Sequence, residues 1–257
     1  MWNRDGWDAA TRLGVLTVHA GIGAESELQA MAPPGVMIHA SRVHFAAMAG
    51  GGEMDPTIPL AAVRAFAEPP FVDDATELLA AAPLDAIGYG FTCSAFAIGA
   101  DGEDAMVARL EERTRGIPVT TSCAAAAAGL RALGVERLAL ISPPWFDEEL
   151  NSLGSAYFRD VGLDVVFAAS AELPSNQRRI EPKQLFEWVR DQTPDVADGL
   201  FIGGNGFRAV GVIEALESKL DCPVVTANQA LFWSLLGLAG SDAAIAGYGQ
   251  LFAHSPT

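Results

Sequence analysis

Four short apolar segments in the first half of the chain recur in the same order in the second. Arg12–Leu16 (RLGVL) is matched by Arg137–Ile141 (RLALI), and Val36–Ser41 (VMIHAS) by Val165–Ser170 (VVFAAS). Ala86–Gly90 is matched by Gly199–Ile202, and Ile117–Ser122 (IPVTTS) by Cys222–Ala227 (CPVVTA). One such match means little, because buried strands resemble one another. Four in register point to a duplicated βαβα unit. Alternating strands and helices of this kind build a mostly parallel sheet. The expected fold is α/β, two pseudo-symmetric lobes with a cleft between them. The lobes are expected at residues 1–116 with 230–257, and at 117–229, the last apolar helix (Gln229–Leu238) crossing back to the first.

The third pair is the most informative. Asp85–Phe96 (DAIGYGFTCSAF) and Asp198–Val210 (DGLFIGGNGFRAV) each start with an aspartate, run through a few apolar residues, and break into small and polar ones. Such a run reads as a buried parallel strand ending in a loop. Ligands of open α/β sheets sit at those carboxyl ends. Eight loop starts are thereby expected on one cleft: His19, Ser41–His44, Thr92-Cys93-Ser94, Ser122-Cys123, Ser142–Trp145, Ser170, Gly204-Asn205-Gly206 and Asn228-Gln229. Hydroxyls, amides and backbone N–H groups at helix starts suit a small carboxylate. The glycine-rich pieces GIGAE and GGNGFR lack dinucleotide spacing, and no acidic cluster suggests a metal. Met48–Pro59, rich in glycine and broken by proline, is a candidate flap.

Charge and composition narrow the class. With 16 Lys+Arg against 32 Asp+Glu, the chain has a net charge of −16. Nothing basic is concentrated enough to hold a phosphate backbone, so no nucleic-acid partner is expected. No apolar run reaches a membrane span of about 20 residues, and the polar start MWNRDGWDAATR is unlike a signal peptide. Three dispersed cysteines form no metal or disulfide pattern. A cytoplasmic homo-oligomer with reduced thiols and a small-molecule carboxylate as ligand is the expectation.

Among candidate reacting groups, Cys93 stands at a strand-to-helix turn, where a helix N-terminus favours thiolate. Cys123 has a similar setting, but the alanine run behind it suits packing, and Cys222 reads as structural. His19 and His44 follow the first two strands, where an acid or base could stand. His39 lies within its strand and His254 in the tail. Arg42 and Arg208 are candidate carboxylate clamps.

The segments GYGFTCSAF, PVTTSCAAAAAGLRALGVERLALIS, DGLFIGGNGFRAVGVIEALE and CPVVTANQALFW resemble the maleate isomerase and arylmalonate decarboxylase branch of the aspartate/glutamate racemase superfamily. The likeness spans about Leu13 to Phe252. It implies two α/β lobes around a shared site, and chemistry on small carboxylates with no cofactor or metal. The family places a cysteine at a strand end in one or both lobes. The matching positions here are Phe91 and Gly204, and the tyrosine of the second lobe is replaced by Pro144 or Trp145. Thr92, Asn205, Asn228 and Gln229 keep the polar cradle. The expected catalytic set is therefore Cys93, His19 and His44. The expected substrate contacts are Phe91, Thr92, Ser94, Cys123, Trp145, Gly204, Asn205, Gly206, Arg208 and Asn228. The function implied is an isomerase or lyase working by proton transfer. The alternatives are a hydrolase or hydratase with a histidine base, and a carboxylate-binding protein without catalysis. With both familiar thiols replaced, a histidine is expected as base, so that Cys93→Ser keeps activity and His19→Ala or His44→Ala loses it.

Overall fold

The computed structural model describes residues 5–256. Its two sheets have four parallel strands each and the same order. The first contains β1 (Thr11–Val18), β2 (Val36–Val43), β3 (Ala86–Tyr89) and β4 (Val119–Thr121), in the order β2-β1-β3-β4. The second contains β5 (Arg137–Ser142), β6 (Asp164–Ser170), β7 (Gly199–Ile202) and β8 (Val224–Thr226), in the order β6-β5-β7-β8. The registers repeat as well: Leu13 pairs with Ala86 where Leu138 pairs with Gly199.

The duplicated aspartates explain part of this repeat. Asp85 Oδ2 accepts the N–H of Arg12 at 2.7 Å, tying the start of β3 to the start of β1. Asp198 Oδ1 accepts the N–H groups of Glu136 and Arg137 at 3.0 and 2.7 Å, doing the same for β7 and β5. The threonines ending β4 and β8 also share a role. Thr121 caps α5 (Ser122–Ala132), and Thr226 forms a capping box with Gln229 at the start of α9 (Ala227–Leu238).

Between the strands run α1 (Gly23–Met31), α2 (Leu60–Ala67), α3 (Phe71–Leu79), α4 (Thr92–Glu111), α6 (Glu148–Asp160), α7 (Pro182–Gln192) and α8 (Ile213–Leu220). α4 starts directly after β3, with Gly99 at φ +73° absorbing a kink. One sequence expectation shifts. Val119–Thr121, expected in the second lobe, pair with β3, so β4 belongs to the first sheet. The lobes meet where α4 packs on α6 and α5 on α9. No helix among the described residues is long and apolar enough to cross a membrane.

α9 does return to the first sheet. Its Leu231 and Leu235 press so closely on β3 that a Cβ at Gly88 would lie 2.9 and 3.0 Å from their methyl carbons. We expect Gly88→Val to overpack this contact and cost about 1–3 kcal/mol. Urea denaturation of the variant measures it, with the midpoint falling and the m-value unchanged.

Candidate functional site

The ends of β3 and β7 meet across the lobe boundary. β3 stops at Tyr89 and the chain turns through Gly90 and Phe91 into α4, while β7 stops at Ile202 and turns through Gly203–Gly206. Asn205 Oδ1 accepts the Thr92 N–H at 3.0 Å and the Thr92 hydroxyl at 2.7 Å. The Thr92 oxygen in turn accepts the N–H of Gly204 at 3.2 Å. Gly204 has φ +89°, a left-handed backbone that suits glycine.

Behind this pair the network continues. Asn205 Nδ2 donates to Ser122 Oγ and to Asn228 Oδ1, both at 2.8 Å. Asn228 Nδ2 donates to Glu27 Oε2 at 2.7 Å, and Glu27 Oε1 accepts the N–H groups of Ala209 and Val210 at 2.6 and 3.0 Å. Glu27, Thr92, Asn205 and Asn228 are all buried. Burial pushes the Glu27 carboxyl up from its ordinary range. The N–H donors of Asn228, Val210 and Ala209 and the nearby charge of Arg208 pull the other way. Glu27 is absent from the sequence expectations, yet a signal existed. It shares one face of α1 with Ala24, Leu28 and Met31, and an acid on an apolar helical face must find partners.

In front of Thr92 and Asn205 lies a cleft of about 450 Å³, mouth included. Its polar end is formed by Thr92, Cys93, Asn205 and Gly206, and its wall by Val18, Ala24, Phe45, Phe91, Trp145 and Phe146. Phe91 packs against Phe45 and Phe66 with ring centroids 4.8 and 4.1 Å apart. The expected flap closes the far side. Met48, Met54 and Ile58 line the cleft, and Met48 pairs with Met54 in an antiparallel bridge. The segment is pinned to the second lobe by Ile58 N–H to the Trp145 carbonyl at 3.2 Å and by Ser175 Oγ to the Pro56 carbonyl at 3.0 Å.

Among the described residues lining the cleft, Cys93 alone has a titratable side chain. Its thiol is pushed well up by burial, against the weaker downward pull of its own N–H and that of Ser94. The expected thiolate is corrected on that ground: loss of solvation outweighs the helix start.

Other expectations are corrected by position. β2 is an edge strand, so its end lies away from the meeting of β3 and β7. His44 is exposed there and stacks on His19 with centroids 4.9 Å apart. His19 follows the central β1, but its Nδ1 accepts the Phe45 N–H at 3.1 Å. Neither histidine lines the cleft. Ser94 is turned inward, accepting from Tyr89 Oη at 2.9 Å and donating to the Val63 carbonyl at 3.0 Å. Cys123 donates to the Thr92 carbonyl at 3.4 Å from behind, and Asn228 lies beneath Asn205. Arg42 is held by Glu25 and by the Val18 and Gly21 carbonyls. Arg208 lines a separate cavity. Phe91, Thr92, Cys93, Trp145, Gly204, Asn205 and Gly206 are brought together. Among the described residues no group of three His, Cys, Asp or Glu could hold a metal ion.

A family model described as arylmalonate decarboxylase matches residues 69–252. The arylmalonate decarboxylase of Bordetella bronchiseptica is 32% identical over 170 residues, which are 64% of this chain and 69% of that one. The maleate isomerase of Geobacillus stearothermophilus is 26% identical over 165 residues, 62% and 65% of the two chains. The structure of an unliganded arylmalonate decarboxylase superposes with a TM-score of 0.77 at 26% identity, covering 95% of this chain and 99% of that one.

Glu27→Gln places an amide where only acceptors fit. Either it faces the Ala209 and Val210 N–H groups or it forces Asn228 to flip. We expect a loss of about 1–3 kcal/mol, read by urea denaturation. For His19, burial, His44 and Arg42 lower the pKa from 6.5, so the unfolded chain takes up its proton first. Its contribution to stability is present above pH 6.5 and is lost as pH falls through that value toward the folded pKa. His19→Asn keeps an acceptor for Phe45 and should flatten the stability slope between about pH 7 and 5.

Proposed function

The chain belongs to the arylmalonate decarboxylase family and is an isomerase- or lyase-type enzyme of small carboxylic acids, and we propose that its reaction is loss of CO2 from a malonate-type acid. No bound cofactor takes part in this reading, and Cys93 returns the proton. The observation that carries it is the Cys93 thiol, the one titratable side chain among the described residues lining a cleft without fixed charge.

A malonate-type substrate needs two different environments. One carboxylate meets backbone N–H groups: that of Cys93 in the first turn of α4, where helical N–H groups lack partners, and those of Asn205 and Gly206, which have no acceptor among the described residues. The other lies against Phe45, Phe91, Met54 and Trp145. Those side chains offer a carboxylate nothing to replace its water, whereas neutral CO2 is at home there. As the C–C bond breaks, its electron pair moves into the retained carboxylate and forms an enediolate, which the N–H groups stabilise. The Cys93 thiol then protonates the α-carbon, and the resulting thiolate takes a proton from solvent.

Two features set this reaction apart from its relatives. A thiol-adduct isomerisation starts from thiolate, which burial disfavours. A two-base racemisation needs a second group on the opposing loop, and Gly204 has none. On this reading the histidine base is replaced by Cys93, and the expected order of the variants reverses.

The test is turnover of phenylmalonate, methylmalonate and maleate in D2O. Release of CO2 with one deuterium placed on the α-carbon supports the proposal. Cys93→Ala is expected to lose on the order of a hundredfold or more, as for a general acid, while His19→Asn stays within a few-fold. An active Cys93→Ala together with an inactive His19→Asn returns the base to histidine. Conversion of maleate to fumarate without CO2 release from either malonate replaces decarboxylation by isomerisation.

A further inference from the structure

A second cavity of about 1190 Å³, mouth included, adjoins the cleft, and Gly23, Gln177 and Gly206 line both. Arg178 and Arg208 face this second cavity. Neither side chain has a hydrogen bond or ion pair to another described residue. Among the described arginines only Arg64 and Arg179 share that state, the rest being engaged by carboxylates or backbone carbonyls. Two guanidiniums free of side-chain partners on the wall of a single cavity offer an oxyanion both charge and hydrogen-bond donors.

The rest of the wall is consistent with that. Glu27 also lines the cavity, but its oxygens face the N–H groups of Ala209, Val210 and Asn228. Tyr248 donates its hydroxyl to the Ala30 carbonyl at 2.9 Å. The cleft itself has no Lys, Arg or His among its described lining residues. The partition between the two spaces is thin. A Cβ at Gly23 would lie 2.5 Å from the Asn205 carbonyl oxygen, so backbone meets backbone there. The one side chain lining both spaces is Gln177, whose amide has a single hydrogen bond among the described residues, to the Met54 sulfur at 3.4 Å, a weak acceptor. A Cβ at Gly206 would lie 2.4 Å from that amide nitrogen, so glycine leaves room for Gln177 at this point.

We propose that the substrate is two-ended, with its reacting carboxyl end in the cleft and a second oxyanion, a carboxylate or a phosphate, between Arg178 and Arg208. The spacer passes Gln177, displacing its contact with Met54. This rests on the cleft being the carboxylic-acid site. It gives the neutral, apolar reaction chamber a charged anchor outside it, so that binding strength does not depend on stabilising charge where charge must be lost.

The experiment compares hexanoate, adipate and 6-phosphonohexanoate, which share one chain length and differ at the far end. Binding to the full chain is measured by calorimetry, and protection of Cys93 from alkylation by peptide mapping. We expect at least one of the two-ended acids to bind about tenfold or more tightly than hexanoate, the gain of a charge-assisted pair. The tighter of the two identifies the tail. The gain should shrink with added salt, fall below threefold in the double variant Arg178→Gln/Arg208→Gln, and persist in Arg64→Gln, which removes the same charge elsewhere. Equal binding of all three acids, with hexanoate protecting Cys93, overturns the two-ended substrate and leaves the cleft reading standing. A gain that persists in the double variant overturns it as well. Failure of every acid to bind or protect Cys93 overturns both.

Discussion

One buried carboxylate sets the direction of a hydrogen-bond chain that crosses the molecule. Both Glu27 oxygens accept from N–H groups, so Asn228 must turn its NH2 toward them and its carbonyl toward Asn205. Asn205 must then offer NH2 to Asn228 and Ser122, which leaves its carbonyl for Thr92. Thr92 has to donate its hydroxyl proton to that carbonyl, and a lone pair on its oxygen receives Gly204 N–H. Four side chains from two lobes thus have one arrangement in place of several, as expected of a buried network whose members are all satisfied. The two loops at the cleft floor are held by this chain.

Its second effect is on the cleft's chemistry. The side-chain donors of Thr92, Asn205 and Asn228 are engaged within the network, which leaves backbone N–H groups and the Cys93 thiol at that end of the cleft. The walls beyond are aromatic and aliphatic. A site without fixed charge suits a reaction in which a carboxylate leaves as a neutral molecule, because fixed cations would stabilise the starting charge at least as well as the transition state. Cys93 belongs to the same logic: a helix start and a dry pocket act on it in opposite directions, and the pocket wins.

The flap and the two lobes share the enclosure. Met48, Met54 and Ile58 reach the cleft from one segment of the first lobe, while Trp145, Phe146 and Gln177 reach it from the second. The anchors between them run from flap to second lobe, through Ile58, Pro56 and Glu53 to Trp145, Ser175 and Asn176. The same bonds that hold the flap over the cleft therefore also tie the first lobe to the second.

Taken alone, the sequence determined the architecture. Two like sheets, parallel pairing and the doubled Asp85 and Asp198 follow from repeated local patterns, and apolar runs ending in small polar residues placed Phe91, Thr92, Cys93, Gly204, Asn205 and Gly206 at strand ends that meet. Distance along the chain carries that information, because a βαβ unit has one hand and one place for its ligand. What tertiary structure decided is which neighbours each group keeps. His19 and His44 end strands as expected, yet one ring turns to the Phe45 N–H and the other sits at a sheet edge. Ser94 and Cys123 follow strand ends too, and both face inward. Glu27 and Gln177 come from segments far from either strand end and join the site through contacts that cross between the lobes. Solvation is the physical reason. A thiol's proton affinity or an acid's partners depend on what excludes water around it, and that is set by residues remote in sequence.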